Sequence, residues 1–193
     1  VQKSTDGGAT WAVMNDGLPT PYGVSVVTDP QHADTVYASL AFFGVFKSVD
    51  GAASWTAVNN GFQSLFFGVG NLVMDPINSD VLYVVASGPY RTADGGGSWT
   101  KTASSGGGYS LIIDPVTPTT LYAVSDDLVV DKTTDSGATW DPISPAGLPS
   151  IIQTIAIDPG TGATLYAATL DGILKSATAT SVCASSADCN DGD

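Results

Sequence analysis

The sequence predicts an all-β protein, either a small β-propeller of about four four-stranded blades or a segment of a larger propeller. Three observations carry this. An eight-residue motif occurs four times, as Ser4–Trp11, Ser48–Trp55, Thr92–Trp99 and Thr133–Trp140, with its tryptophans 44, 44 and 41 residues apart. A period of roughly 40–50 residues is the length of one four-stranded blade. Between the motifs, Asp29-Pro30, Asp75-Pro76, Asp114-Pro115 and Asp158-Pro159 each close an apolar run. Lastly, 22 glycines and 11 prolines suit a turn-dense chain, and helical periodicity never extends past a turn or two.

Each repeat divides into four strands. The first is a short run rich in β-branched residues: Val24–Val27, Asn71–Met74, Leu111–Ile113 and Thr154–Ile157. Proline cannot donate to a strand ladder, so the Asp-Pro pair marks the end of that strand. The second strand carries Tyr37, Tyr83, Tyr122 or Tyr166, as in residues 35–40. The third precedes the motif, as in Gly44–Ser48, and the fourth starts at its tryptophan, as in Trp55–Val58. The motif is then the turn between third and fourth strands. Its Asp satisfies neighbouring backbone N–H groups and its glycines supply positive φ. The second copy departs from the rest, with Ala52 in place of a glycine.

The strand count is uneven. First, second and fourth strands number four each. Third strands number five: Val1–Ser4, Gly44–Ser48, Tyr90–Thr92, Val129–Thr133 and Gly172–Ser176. The fifth copy has lost its motif, with Thr178 where Asp would stand. The chain is expected to begin and end within repeats. Either it is a piece of a larger propeller, or the surplus strand pairs outside its own ring.

The motif resembles the Asp-box, or BNR repeat, S/T-x-D-x-G-x-x-W, found in sialidase-like, xyloglucanase-like and sortilin-like secreted propellers. The resemblance implies a propeller fold with the boxes on the rim, away from the ligand face. It also implies that Lys3, Lys47, Arg91, Lys132 and Lys175, each just before a box Ser/Thr or its degenerate copy, belong to the repeat consensus. The plain expectation for such a charge is a solvated position on an outer strand.

Six basic residues stand against 19 acidic ones, for a net charge of −13. No cationic footprint for nucleic acid or an anionic membrane surface can be built from them. No apolar stretch approaches the roughly 18 residues of a membrane span. No initiator Met or leader is seen, as expected of a processed or excised segment. Low charge content and a strongly acidic balance predict an extracellular or cell-surface location.

Residues 1–180 are read as the propeller and residues 181–193 as a Cys/Asp-rich tail or the start of a further module. Cys183 and Cys189 are too few for a four-ligand zinc site, and the lone His32 is remote in sequence. A local disulfide in an oxidising compartment is expected. Asp188, Asn190, Asp191 and Asp193 miss the spacing of a calcium loop, so no metal or other cofactor is expected.

Catalysis finds no motif. A sialidase-like site would need three arginines on the substrate carboxylate, and the chain has Arg91 alone. An inverting glycosidase needs two carboxylates roughly 6.5–9.5 Å apart. The acids outside the boxes are the Asp-Pro set and loop residues such as Asp34, Asp80, Asp126, Asp127 and Asp171, none placed by a motif. His32, in the turn after Asp29-Pro30, would be the only base for a serine hydrolase. Tyr22, Phe42, Phe43, Phe62, Phe66, Phe67 and Tyr109 flank inner strands. They are read as core, with a sugar-binding face as the alternative.

The expectation is therefore a non-enzymatic secreted propeller with no catalytic, cofactor or metal residues. Its role would be structural, with subunits self-associating head to tail through terminal strands into a filament. The alternative is a carbohydrate-binding module or a fragment of a larger Asp-box glycoside hydrolase.

Overall fold

The computed structural model describes residues 1–19, 22–63, 69–102, 108–125, 129–143, 152–162 and 164–176, with backbone only at 108 and 109. The described residues form antiparallel strands and no helix. They fall into two units, Val1–Thr100 and Lys101–Asp193.

The first unit opens with a two-stranded hairpin, β1 (Gln2–Lys3) and β2 (Ala12–Val13). A four-stranded sheet follows: β3 (Gly23–Thr28), β4 (Val36–Leu40), β5 (Gly44–Ser48) and β6 (Thr56–Ala57), paired in chain order. A second contains β7 (Leu72–Met74), β8 (Leu82–Ala86), β9 (Gly88–Thr92) and β10 (Thr100–Lys101), again in chain order. The second unit holds β11 (Gly108–Ile113), β12 (Leu121–Ser125), β13 (Val130–Thr133) and β14 (Asp141–Pro142) as one sheet. It ends with the three-stranded sheet β15 (Ile152–Ile157), β16 (Leu165–Thr169) and β17 (Gly172–Lys175). These sheets are propeller blades. Third strands β1, β5, β9, β13 and β17 number five among the described residues, as the sequence predicts.

The apolar residues pack between successive sheets. Ala38, Leu40, Phe46, Ala52 and Trp55 are buried together, with Val1, Met14 and Leu18 of the opening hairpin against them. Tyr37 and Val45 of one sheet meet Leu72, Leu82, Val84, Tyr90 and Trp99 of the next. In the second unit, Tyr122, Val124 and Val130 pack on Ile152, Ile155, Leu165, Ala167 and Leu174. Each sheet therefore buries one face on its neighbour, the arrangement that a stacked repeat requires.

Three of the first strands carry the same irregularity. Register shifts occur between Gly23 and Ser25, Gly108 and Ser110, and Ile152 and Thr154. An extra residue at one relative position in these three blades is a β-bulge that increases local twist. β7 shows no such shift and starts only at Leu72.

A glycine turn that recurs in the first unit joins one repeat to the next. In Asn15–Leu18, Leu18 N–H donates to Asn15 O (3.0 Å) and Trp55 N–H donates to Asp16 O (2.9 Å). Forty-four residues on, Phe62 N–H donates to Asn59 O (3.3 Å) and Trp99 N–H to Asn60 O (2.8 Å). The indole Nε1 groups of Trp55 and Trp99 donate to Met14 O (3.0 Å) and Val58 O (2.7 Å). Trp55 and Trp99 are thereby held by the preceding repeat through both backbone and side chain.

Candidate functional site

The four motif turns share one set of bonds. In the third copy, Thr92 Oγ1 donates to Asp94 Oδ1 (2.7 Å) and accepts from Gly96 N–H (3.0 Å). Ser98 N–H and Oγ donate to the two Asp94 oxygens (2.9 and 2.7 Å). Asp6, Asp50 and Asp135 repeat this pattern with Thr10, Ser54 and Thr139. Both oxygens of every motif Asp are occupied by the turn itself. These carboxylates are structural.

The bonds hold each carboxyl at about 2, below the ordinary 3.8. The hydroxyls of Thr10, Ser54 and Thr139 are the largest cause for Asp6, Asp50 and Asp135, and the Thr92 hydroxyl for Asp94. Asp29 also sits at about 2. Burial pushes it up, but the Ser79 hydroxyl and the N–H of Gln31 more than offset that. A carboxyl lowered in the folded state stabilises the fold above its unfolded value near 3.8 and loses that contribution as pH falls through 2. The unfolding midpoint should therefore be insensitive to these groups from pH 7 to 5 and drop between about 4 and 2. In a thermal melt series, Asp94→Ala should lower the neutral midpoint and make the acid slope shallower. A slope identical to the unsubstituted protein's would remove Asp94 from this account.

Two consecutive motif residues take positive φ: Gly7 and Gly8, Gly51 and Ala52, Gly95 and Gly96, Ser136 and Gly137. Ala52 adopts φ 76 where Gly8, Gly96 and Gly137 lie at 90–93. The left-handed region costs an alanine about 1–2 kcal/mol, while a buried methyl contributes about 0.8 kcal/mol. Ala52→Gly is therefore expected to stabilise by up to about 1 kcal/mol in urea unfolding. A loss of stability would show that the methyl's packing in the core outweighs the strain.

Lys47, Arg91 and Lys132 are half-buried rather than the solvated charges expected of them, while Lys3 and Lys175 are exposed. Tyr37, Tyr83, Tyr122 and Tyr166 lie directly across from Lys47, Arg91, Lys132 and Lys175. The cation stands over the ring at 5.1 Å for Lys47–Tyr37, 5.9 Å for Arg91–Tyr83 and 5.5 Å for Lys132–Tyr122. Lys3 Nζ donates to Gly51 O (2.9 Å), and Lys47 Nζ and Tyr37 Oη donate to Gly95 O (3.2 and 2.9 Å). Lys3 and Lys47 clamp one repeat to the motif turn of the next. Both tyrosines and cations are periodic in the sequence, but their pairing needs the strand register.

The Asp-Pro carboxylates cap their own turns. Asp29 accepts from the N–H groups of Gln31 and His32 (2.8 and 3.1 Å), and Asp75 and Asp114 do the same for their turns. Asp29 also accepts from Ser79 Oγ (2.5 Å) of the next blade, and its other oxygen meets His32 Nδ1 at 2.9 Å. The serine bonds the carboxylate rather than the imidazole, so these three residues do not form a nucleophile–base pair. His32 is mostly exposed.

The motif turns and the Asp-Pro turns occupy one end of each sheet. The opposite end of the β3–β6 sheet is different in kind. Tyr22, just before β3, is 75% exposed, and Phe42 and Phe43, in the β4–β5 turn, are 65% and 42% exposed. Gly23 pairs with Leu40, and Ala41 N–H donates to Tyr22 O (3.3 Å), so Tyr22 lies beside that turn. Asn59 fixes the turn from β6: its Oδ1 accepts from Val45 N–H (2.7 Å) and its Nδ2 donates to Phe43 O (2.9 Å). Phe42 is held at φ 66, an unusual backbone state for a bulky residue. Phe62, by contrast, stacks on Trp99 at 5.3 Å and packs with Tyr90 at 5.0 Å, as part of the core. Phe66, Phe67, the side chain of Tyr109, Asp126, Asp127 and the tail with Cys183 and Cys189 lie outside the described residues. A hollow of about 330 Å³ lies against Lys3, Thr5, Thr10, Trp11, Ala12 and Met14 and has no carboxylate in its lining.

Comparison with known proteins bears on what these ends do. No family model matches the chain. A curated protein named xyloglucanase, from Hypocrea jecorina, is 29% identical over 174 residues, covering 85% of this chain and 19% of that protein. The GH74 xyloglucanase of Xanthomonas campestris superposes with a TM-score of 0.72 at 20% identity, covering 89% of this chain and 31% of that one. An ancestral GH74 enzyme gives 0.66 at 20% identity, covering 85% and 23%. YCF48 from Cyanidioschyzon merolae gives 0.63 at 15% identity, covering 86% and 57%. The solved structures establish the propeller fold. The chain spans about a fifth of the curated relative it matches.

These similarities correct the expectation of a non-enzymatic structural protein that polymerises through its terminal strands. The curated relative and two of the three solved structures above are named as enzymes, and the match to them runs through most of this chain. The surplus third strand is a feature of the described fold.

Proposed function

We propose that this chain is a segment of a larger, secreted glycoside hydrolase of the Asp-box propeller type, whose substrate is a neutral β-glucan such as xyloglucan. The observation that carries this reading is the 29% identity to a xyloglucanase over 85% of the chain. The hydroxyl–carboxylate–hydroxyl bond set repeated in all four motif turns supports the Asp-box assignment. The low charge content and the net charge of −13 fit an extracellular protein with an uncharged substrate. The described motif and Asp-Pro carboxylates are not assigned to the acid pair of such an enzyme, because they are committed to their own turns.

The reading is tested by affinity electrophoresis of the 193-residue chain in gels containing xyloglucan, mixed-linkage β-glucan or an anionic pectin. Retardation by the neutral β-glucans and not by the pectin is expected. Migration unchanged by every neutral β-glucan would overturn the proposal.

A further inference from the structure

We infer that the aromatic end of the β3–β6 sheet is a sugar-stacking subsite, formed by Tyr22 and Phe42 and positioned by Asn59. The inference rests on the polysaccharide reading above and locates its contact surface. Exposed apolar residues scattered singly need no explanation, but three aromatics at one end of one sheet do. Tyr22 and Phe42 are the most exposed aromatics of the described chain, at 75% and 65%. Aromatic rings stack on the C–H faces of pyranose rings, and a polar tip such as the Tyr22 hydroxyl suits the wet edge of the site.

The backbone shows that Phe42 is held out rather than left out. A β4–β5 turn placing a bulky residue at φ 66 is strained, and such strain persists only where the surroundings over-determine it. The surroundings here are Asn59, bonded to Phe43 O and Val45 N–H on either side of Gly44, and Gly44 itself, at φ 92. A Cβ on Gly44 would stand 2.2 Å from Asn59 Oδ1, so the amide and the glycine lock each other. The corresponding β8–β9 connection is the single residue Ser87, and the β16–β17 connection is Leu170–Asp171. Neither presents an aromatic residue.

Charge selects the ligand class. Residues 22–25 and 39–45 contain no ionisable group except the Tyr22 phenol. The motif end, with its acids and clamping cations, is the opposite end. A neutral glycan meets no desolvated charge at the aromatic end, whereas an anionic or cationic polymer gains nothing there.

The test compares the intact chain with Tyr22→Ala, Phe42→Ala and, as a control outside the site, Trp11→Ala. Dissociation constants for xyloglucan oligosaccharides are measured by titration calorimetry, with unfolding midpoints recorded in parallel. Tyr22→Ala and Phe42→Ala should each weaken binding at least tenfold with midpoints unchanged, because both side chains stand in solvent. Trp11→Ala should bind as the intact chain does. Asn59→Ala should also weaken binding, through loss of the turn's position. Oligosaccharide binding that survives both aromatic substitutions would sink the subsite and leave the polysaccharide reading in place. No binding by the intact chain to any neutral β-glucan would sink both.

Discussion

Replacing Gly61 with alanine should rank among the most destabilising single-methyl additions in the first unit. Gly61 has φ 96, and a Cβ built there would stand 2.1 Å from Trp99 O and 3.0 Å from Trp99 N. Both atoms are backbone, so no side-chain rotation relieves the clash. The turn must move, and the Trp99 N–H to Asn60 O bond of 2.8 Å goes with it. The left-handed backbone state alone costs a non-glycine residue about 1–2 kcal/mol, and a buried donor left unsatisfied costs about 1–3 kcal/mol. A loss of about 2–5 kcal/mol is expected in urea unfolding. Gly17→Ala, 2.3 Å from Trp55 O at the equivalent place, should behave alike. A change under about 0.5 kcal/mol at both sites, the ordinary size of a surface substitution, would show that the glycine turns do not clasp the repeats.

Much of the fold was legible because its determinants are local and periodic. The third strand read at Gly44–Ser48 is found at Gly44–Ser48, since the motif fixes its end and Gly44 its start. The fourth strand read at Trp55–Val58 shortens to Thr56–Ala57, because Trp55 N–H and Val58 O are both taken up by neighbouring repeats. The glycine turns were missed although Gly17 and Gly61 share the 44-residue period. A glycine beside Asn and Asp reads as an ordinary turn until its partner, a tryptophan backbone in another repeat, is visible.

The candidate site was half legible. Tyr22, Phe42, Phe43 and Phe62 looked alike in sequence, and core packing was the expected reading for all of them. It holds for Phe62, which lies between Tyr90 and Trp99, and fails for Tyr22 and Phe42. What separates them is the turn geometry set by Asn59, a residue with no motif of its own. The step from strand count to a non-enzymatic structural role failed for another physical reason. An odd strand shows that a ladder edge exists, not which polypeptide covers it. The similarity to proteins several times longer turns that step toward an enzyme segment.

The motif tryptophans give the sharpest contrast between sequence identity and physical role. Trp99→Ala should cost about 3–5 kcal/mol, the range for removing a large aromatic from a packed core. Trp99 is 3% exposed, stacks on Phe62, and gives its indole N–H to Val58 O at 2.7 Å. Its removal opens a cavity between two sheets and strands that carbonyl. Trp11 occupies the same motif position and is 61% exposed. Its Nε1 donates to Gly8 O (3.1 Å) inside its own turn, and it joins none of the buried clusters. Trp11→Ala should therefore cost under about 1 kcal/mol, near the level of a surface substitution. Trp99→Phe should fall between, keeping the stack on Phe62 and losing the Val58 bond. Denaturant unfolding of the three variants decides the matter. Equal losses for Trp11→Ala and Trp99→Ala would mean that the motif stabilises its own turn alone, and that the contacts between repeats contribute little to the fold.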